Sequence, residues 1–327
     1  MKFILLLSVI LSFMTVYTLT PWFIAYLRRV GMVVKDQNKA GKPLIPISGG
    51  LVVFLGVFFG VMFAVFVQTF YYHSTDRLID LLAFATVAFA TTFIGLIDDL
   101  LVRKDKEVSI GLKQWQKPLL TVLAAVPLMV INAGETVVTI PFLGATDIGV
   151  LYPLLLIPIG VIGASNMVNL LGGLNGLEAG LGLIYLGNLS AYAYIQGSEI
   201  AALIGAIACA ALVAFLLFNF NPAKILPGDT LTYLLGGTLA SMAILGNMEV
   251  AALIISVPFF IEFLLKLRGR LQKQSYGVYW NGTVKSLYTK IYSIPHLFMT
   301  RGKFTETEIV LFVYGIQLIW SGLIWFI

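Results

Sequence analysis

Residues 163–180, GASNMVNLLGGLNGLEAG, place three asparagines and one glutamate among glycines and aliphatic residues. The 327-residue chain around them is strongly apolar, with 59% hydrophobic and only 11% charged residues, and its mean hydropathy is +0.94. A polar amide in hydrocarbon is costly unless it faces a partner or a water-filled cavity. The segment therefore predicts a membrane protein whose function lies at these polar residues.

Working outward from this segment, apolar runs of roughly the 17–25 residues that cross a bilayer recur along the whole chain. They predict an all-α polytopic membrane protein, one domain over residues 1–327, with about ten transmembrane helices. The runs lie at about 3–27, 51–70, 78–97, 116–131, 150–170, 177–195, 200–218, 230–247, 250–267 and 309–327. The fourth and eighth are the weakest, because both are short and polar at one end. Cys209, the single cysteine, lies in an apolar run and indicates neither a disulfide nor a thiolate metal site.

The basic residues orient these predicted helices. The loops 28–50, 98–115, 171–176, 219–229 and 268–308, with the adjoining helix ends, hold 19 of the 21 lysines and arginines. The other side holds only Lys2 and Arg77. By the positive-inside rule the basic side is cytoplasmic, and both termini lie outside.

Two loops carry further structure in this prediction. Residues 136–148 have β-branched runs around Pro141 and Gly144, which predict a short external β-hairpin. Residues 268–308 form a cytoplasmic excursion that mixes basic and aromatic side chains. That composition suits either contact with lipid headgroups or an ordinary cytoplasmic loop.

Polar residues gather where the predicted helices meet the cytoplasmic side. Paired aspartates repel each other unless a cation or a phosphate-bound metal lies between them. Amide oxygens suit Mg²⁺, and arginine forks suit a diphosphate. Plainer roles also exist, such as a helix cap for an aspartate or an interfacial position for a lysine. One face collects Asp98, Asp99, Lys117, Asn166, Asn169, Asn175, Asp229, Arg268 and Arg270. Together they predict an active site for Mg²⁺–diphosphate chemistry at the cytoplasmic face.

Five motifs carry a family resemblance over nearly the whole chain: LIDDLL, QWQKPLL, NMVNLLGGLNGLEAG, NPAKILPGDT and LRGR. In this order and spacing they resemble the polyprenyl-phosphate N-acetylhexosamine-1-phosphate transferases. Within that family the chain is most similar to the archaeal and eukaryotic dolichyl-phosphate GlcNAc-1-phosphate transferases. The resemblance implies transfer of GlcNAc-1-phosphate from UDP-GlcNAc to a dolichyl or other polyprenyl phosphate. UMP would be the second product, and the step would begin lipid-linked glycan assembly for protein N-glycosylation.

The resemblance also implies roles for particular residues. Mg²⁺ is the expected cofactor, with Mn²⁺ as an alternative, and Asp229 and Asn169 are the expected metal ligands. Lys117 belongs to the catalytic group, and Asp98 or Asp99 would orient or deprotonate the acceptor phosphate. Lys117, Arg268 and Arg270 would hold phosphates and Asn175 the uracil. The substrate-binding set is Asn166, Asn175, Glu178, Arg268 and Arg270.

The chain also departs from the family pattern. Bacterial members carry aspartates at the positions of Gly172 and Asn175, and a paired-histidine motif in the last cytoplasmic loop. This chain has only His73 and His296, and Gly269 stands where eukaryotic members have histidine. These departures favour a glycan–lipid product over a peptidoglycan precursor.

Three alternatives stay open at this stage. One is a bacterial-type undecaprenyl-phosphate sugar-1-phosphate transferase for cell-wall or surface polysaccharide. Another is an intramembrane prenyltransferase, although Val102 stands where its aspartate-rich motif needs a third aspartate. The third is a polytopic transporter or flippase, whose polar groups would lie nearer the bilayer midplane.

The expected partners are UDP-GlcNAc, a polyprenyl phosphate and membrane lipid, with no nucleic acid; a homodimer is left open. The expected location is the plasma membrane of an archaeon, or the endoplasmic reticulum membrane if the source is eukaryotic.

Overall fold

The structure is a computed structural model that describes residues 2–101, 111–140 and 144–327. Val102 and Pro141, which entered the predictions above, lie outside these ranges. The helices of the described chain are α1 (Lys2–Val30), α2 (Gly50–Phe70), α3 (Leu78–Leu101), α4 (Gln116–Val130), α5 (Ile157–Leu170), α6 (Leu177–Ile195), α7 (Glu199–Asn219), α8 (Gly228–Leu245), α9 (Glu249–Ile255), α10 (Val257–Arg268), α11 (His296–Met299) and α12 (Glu306–Gly322). A π-helical turn, Tyr152–Leu156, leads into α5, and a 3₁₀ turn, Leu323–Phe326, follows α12.

The protein is mostly helical, and many of its helices suit a membrane. Within the described residues, six helical segments are long and apolar enough to cross a bilayer; α9 and α10 add a seventh if they count as one bent span. The six are α1, α2, α3, α5 with its π-helical turn, α7 and α12 with its 3₁₀ turn. The other predicted spans coincide with α4, α6 and α8, which fall below that length or hydropathy.

Helix α8 lies at the centre of the bundle. It packs against α2, α3, α5, α6, α7 and α9, and every residue from Thr230 to Ile244 is buried. Small residues allow this close packing: a Cβ on Gly236 would lie 2.3 Å from the Cα of Ser165 in α5. Helix–helix contacts in membranes use small and hydroxyl-bearing residues in this way. The modest hydropathy of α8 therefore follows from its protein surroundings.

Helices α9 and α10 form one apolar unit with a bend of 54° between them. Pro258 stands in the first turn of α10. Proline has no backbone N–H, so the hydrogen-bond ladder of α9 does not continue through it. Beyond the bend, α10 packs against α5.

Between the helices of the described chain lie three two-stranded antiparallel sheets, two of them outside the excursion that follows α10. Strands β1 (Val33–Lys35) and β2 (Leu44–Pro46) pair in the segment between α1 and α2. Strands β3 (Val137–Ile140) and β4 (Gly144–Asp147) pair in the segment where the hairpin was predicted.

The excursion after α10 contains the third sheet and a short helix. Its strands are β5 (Gly277–Trp280) and β6 (Thr283–Ser286), and α11 follows. Glu262 of α10, fully buried, fixes this segment. Its carboxylate accepts hydrogen bonds from the hydroxyl of Ser293 at 2.6 Å and the backbone N–H of Ile294 at 2.7 Å. The excursion is thus attached to the bundle by buried polar contacts.

Candidate active site

The ends of four helices meet at one end of the bundle and border a cavity of about 670 Å³. Helix α3 ends there and α8 begins there, as the two pack along their length. The start of α4 and the end of α5 complete this side. Five predicted residues border the cavity from these ends: Asp98, Asp99, Lys117, Asn169 and Asp229.

Lys117 joins two of the carboxylates. Its Nζ donates to Oδ2 of Asp98 at 2.9 Å and to Oδ2 of Asp229 at 3.0 Å. The side chains of Asp98 and Lys117 are 6% and 13% exposed, whereas that of Asp229 is 25% exposed. An ammonium between two carboxylates offsets their mutual repulsion. Asp229 therefore presents the most accessible carboxylate of the group to the cavity.

Asp99 has different neighbours although it adjoins Asp98 in sequence. Its carboxylate accepts hydrogen bonds from the Ser48 hydroxyl at 2.7 Å, the Asp229 N–H at 2.8 Å and the Thr230 N–H at 3.3 Å. The last two N–H groups belong to the first turn of α8, where a helix has no internal acceptors. Asp99 thus caps α8 from another helix, a favourable place for a carboxylate.

Two glycines make this junction possible. Gly228 has φ +70°, and a Cβ there would lie 2.3 Å from Oδ2 of Asp99. On the facing helix, a Cβ on Gly95 would lie 2.3 Å from the carbonyl oxygen of Asp229. Glycine is the residue that accepts positive φ and close backbone approach without strain. The PGD sequence and Gly95 therefore position the Asp229 carboxylate beside Lys117.

Asn169 contacts Asp229 directly through its amide nitrogen. Its Nδ2 donates to Oδ2 of Asp229 at 3.0 Å, while its Oδ1 accepts from the Thr232 hydroxyl at 2.8 Å. To act as a metal ligand beside Asp229, the amide would turn over and present Oδ1. Thr232 permits this turn, because its hydroxyl is also 3.2 Å from the Asp229 carbonyl oxygen, a second acceptor.

The oxygen donors here suit a hard cation that takes the rest of its ligands from a bound substrate and water. The described residues contain no group of three or more His, Cys, Asp or Glu side chains arranged for a metal ion. Mg²⁺ bound with nucleotides needs no such cage, since one or two carboxylates plus phosphate oxygens and water suffice. The accessible carboxylate of Asp229, with the amide of Asn169, matches that requirement.

Asn166 lies one helical turn deeper than Asn169. Its Nδ2 donates to the Thr121 hydroxyl at 3.1 Å and to the Ile162 carbonyl at 2.8 Å. It borders the cavity, but both of these hydrogen bonds hold its amide nitrogen against protein groups. The contacts of Asn166 therefore connect α4 and α5 below the charged group.

The predicted residues of the α5–α6 turn, Asn175 and Glu178, border another part of the cavity. Glu178 accepts the Gly173 N–H at 2.8 Å through Oε1, and its Oε2 is enclosed without a partner in the described chain. Asn175 donates from Nδ2 to Asp36 at 3.0 Å and from its backbone N–H to Glu306 at 2.8 Å. Both residues shape the turn that closes this part of the cavity.

The two predicted arginines lie apart from this group. Arg268 is exposed and places its guanidinium over the Tyr292 ring, 5.9 Å from the centroid, and Arg270 is also exposed. Neither borders the cavity within the described chain, whereas Lys266 and Lys273 do. The Nζ of Lys266 donates to the Ser275 hydroxyl at 2.6 Å and to the Lys273 carbonyl at 2.7 Å.

Sequence patterns missed several residues that shape the cavity. Lys266 lies in the last turn of α10, two residues before Arg268, but the family resemblance pointed only to Arg268 and Arg270. Asp36 is the single acidic residue in the basic loop 28–50, and that isolation was the one available signal. Ser48 has no signal of its own, since its partner Asp99 is 51 residues away.

Comparison with known proteins places this geometry in a family. Residues 81–247, which include Asp98, Lys117, Asn169 and Asp229, match the model of Glycosyl transferase family 4. A relative from Saccharolobus solfataricus is 33% identical over 97% of this chain and 94% of its own length. A relative from Sulfolobus acidocaldarius is 32% identical over 97% of this chain and 94% of its own length.

Both relatives are provisionally named UDP-N-acetylglucosamine–dolichyl-phosphate N-acetylglucosaminephosphotransferase. A phospho-N-acetylmuramoyl-pentapeptide-transferase from Halalkalibacterium halodurans is 36% identical over 80% of this chain and 81% of its own length. The family model covers about half of the chain, and the first two relatives cover nearly all of it. The chain therefore belongs to Glycosyl transferase family 4.

Proposed function

We propose that the protein transfers GlcNAc-1-phosphate from UDP-GlcNAc to a dolichyl or related polyprenyl phosphate, giving GlcNAc-diphospho-lipid and UMP. The names of the two full-length relatives support the donor and the acceptor. The observation that carries the proposal is that Lys117 is held between Asp98 and Asp229 beside the start of α8. This arrangement offers one cation and an accessible carboxylate where a diphosphate and its metal would lie.

We also propose the membrane arrangement in which this reaction proceeds. Ten spans would place the termini and the β3–β4 hairpin outside and the cavity at the cytoplasmic face. The one-sided distribution of lysine and arginine supports this orientation. The archaeal relatives support a plasma membrane location. UDP-GlcNAc would then arrive from the cytoplasm, and the lipid phosphate from the surrounding bilayer.

The chemistry is a phosphoryl transfer in which atoms and charge balance without a redox partner. An oxygen of the lipid phosphate attacks the β-phosphorus of UDP-GlcNAc, and the bond from that phosphorus to the bridging oxygen breaks. UMP leaves with the bridging oxygen, and the sugar stays on the transferred phosphate. For this class of reaction the protein supplies mainly position and charge stabilisation.

The side chains divide these tasks. Lys117 would neutralise charge on the phosphate oxygens, and Asp98 would orient Lys117 and, through its ammonium, the incoming lipid phosphate. The lipid phosphate is largely dianionic at neutral pH, so Asp98 need not remove a proton from it. Asp229 and Asn169 would hold Mg²⁺, which supplies Lewis-acid stabilisation of the diphosphate. Asp99 would keep the start of α8 in place.

The test is the formation of labelled lipid by the purified protein from radiolabelled UDP-GlcNAc and dolichyl phosphate. We expect product with Mg²⁺, none with a chelator, and a loss of at least about 100-fold for Lys117→Met, as is usual when a charge-stabilising donor is removed. Lys224→Met changes an exposed lysine in the neighbouring loop that does not border the cavity, and it should retain wild-type rates. No labelled lipid from wild-type protein would contradict the proposed function. Product only from UDP-MurNAc-pentapeptide would favour the bacterial branch instead.

A further inference from the structure

A buried polar network joins three segments that are far apart in sequence. It consists of Asp36, Asn38, Lys39, Asn175 and Glu306, and we call it the loop network. Lys39 forms an ion pair with Glu306 at the start of α12. Asn38 donates to the Gly173 carbonyl at 2.8 Å and accepts the Gly277 N–H at 3.0 Å. The loop after α1, the α5–α6 turn and the start of α12 are therefore held together beside the cavity.

Within the loop network, both donor groups of Asn175 are committed to carboxylates. Its side-chain Nδ2 donates to Oδ2 of Asp36 at 3.0 Å, and its backbone N–H donates to Oε1 of Glu306 at 2.8 Å. Asp36 and Asn175 are only 3% and 2% exposed, yet both border the cavity. The Oδ1 of Asn175 accepts no hydrogen bond from the described chain and, unlike Oε2 of Glu178, is not fully enclosed. It is the polar atom that Asn175 has left for a ligand.

Asp36 determines which end of this amide faces the cavity. An ionised carboxylate only accepts hydrogen bonds, whereas an amide has one accepting and one donating end. The amide of Asn175 must therefore turn Nδ2 towards Asp36 and leave Oδ1 for the cavity. Asp36 itself is oriented, because its Oδ1 accepts the backbone N–H of Asn38 at 3.3 Å.

We propose that Asp36 is a positioning residue that fixes Asn175 as a hydrogen-bond acceptor and thereby makes the site select a uracil base over cytosine. The inference rests on the proposed function, which supplies a uridine nucleotide as the ligand, and on the contact between Asn175 and uracil that the family resemblance implies. Uracil has an N–H at its N3 position, which Oδ1 of Asn175 can accept. Cytosine has a bare acceptor nitrogen there, which Oδ1 would face without a proton between them. A site built to pair with a donor rejects a base that lacks it, because its own polar group stays unpaired.

The proposal predicts what a single isosteric change at position 36 does. In Asp36→Asn, the new side-chain oxygen keeps the hydrogen bond from the Asn38 N–H, so the new amide nitrogen faces Asn175. Asn175 must then turn its oxygen to that nitrogen and present Nδ2 to the cavity. The cavity then presents a hydrogen-bond donor at this position and should favour cytosine, whose N3 is an acceptor.

The experiment measures binding of UDP and CDP to the detergent-solubilised full-length protein by calorimetry. We expect the wild type to prefer UDP, and Asp36→Asn to lower the UDP-to-CDP affinity ratio by about tenfold or more. The double change Asp36→Asn with Asn175→Asp restores an acceptor at the cavity and should return the ratio to near the wild-type value. The ratio of kcat/KM for UDP-GlcNAc to that for CDP-GlcNAc should likewise fall in Asp36→Asn and recover in the double variant.

Glu306→Gln is the matched control. It disturbs the same loop network and removes the ion pair with Lys39, but it faces the backbone N–H of Asn175, which cannot be inverted. Its affinities for UDP and CDP should fall together, with the ratio unchanged. The proposal is overturned if Asp36→Asn leaves the ratio unchanged, if Glu306→Gln changes it equally, or if the double variant fails to restore it. Because binding needs no lipid acceptor, a failed transfer assay would count against the proposed function and not against this inference.

Discussion

At the scale of single residues, two adjacent aspartates occupy different environments. Asp98 pairs with Lys117 at the cavity, while Asp99 accepts hydrogen bonds from Ser48 and from the first turn of α8. Successive residues of a helix point about 100° apart, so one carboxylate faces the cavity and its neighbour faces α8. We therefore propose that Asp98 has the catalytic task, while the contacts of Asp99 give it the capping task.

The two asparagine variants should separate these tasks. Asp99→Asn brings an NH₂ group towards a hydroxyl or backbone donor, and we expect a loss of about 1–3 kcal/mol of stability from the mismatched buried group. Asp98→Asn should lose activity while its melting temperature falls less, since Lys117 keeps Asp229 as a partner. Thermal melting and transfer rates of both purified variants check this. An Asp99→Asn protein that melts like wild type but is inactive would contradict the capping assignment.

The sequence predicted part of this site but not its division of labour. Asp98, Asp99, Lys117, Asn169 and Asp229 could be placed together because each lies at the cytoplasmic end of a predicted span. The contacts of Asp99 depend on Ser48 and on α8, 51 and 130 residues away. The orientation of the Asn169 amide likewise depends on Thr232, 63 residues away. No local pattern reports such pairings.

At the scale of elements, α8 shows that a helix can be buried almost throughout although its hydropathy is modest. Its sequence was among the weakest of the predicted spans, yet α2, α3, α5, α6, α7 and α9 pack around it. A hydropathy criterion detects the apolar composition that contact with lipid requires, whereas α8 is buried from Thr230 to Ile244 among other helices. Composition was also insufficient for the excursion, because its aromatic and basic residues did not predict that Glu262 would anchor it.

Helix α11 of that excursion should give folding a pH dependence. His296 is fully buried, and burial together with the nearby charge of Lys266 lowers its pKa to about 4. The unfolded chain protonates this histidine near pH 6.5, so the unfolded state binds more protons between these values. Stability from this group is complete above about pH 6.5 and is lost as the pH falls towards 4.

The melting temperature measured from pH 7 to pH 4 tests this expectation. His296→Asn keeps an acceptor near Nδ1 for the Tyr292 N–H, which now donates at 3.2 Å, and it removes the titration. The variant should lose less stability on acidification than wild type. His73→Asn changes the only other histidine, which is exposed, and should follow the wild-type curve. Parallel curves for wild type and His296→Asn would contradict the assignment.

At the scale of the whole molecule, the proposed orientation puts the β3–β4 hairpin and the excursion on opposite sides of the membrane. Cys209 is the single native cysteine and can be replaced by alanine to give a cysteine-free background. Asp147→Cys and Tyr279→Cys then introduce exposed thiols at the two places. With intact cells and an impermeant maleimide we expect labelling at position 147 and not at position 279. Lysed cells should label both, and labelling of position 279 in intact cells would contradict the orientation.

The cap that Asp99 provides to α8 also has a consequence for biosynthesis. Asp99 leaves the ribosome 130 residues before its partner at Asp229, which at about 5–20 residues per second is a delay of roughly 7–26 s. Throughout that interval α3 has been made, but the N–H groups that satisfy its carboxylate have not. Asp99 must stay at the water-exposed surface until α8 arrives, because an unpaired charge is costly in lipid. A nascent chain stopped before α8 would thus expose the unpaired carboxylate of Asp99 at the membrane surface, which distinguishes it from the complete protein.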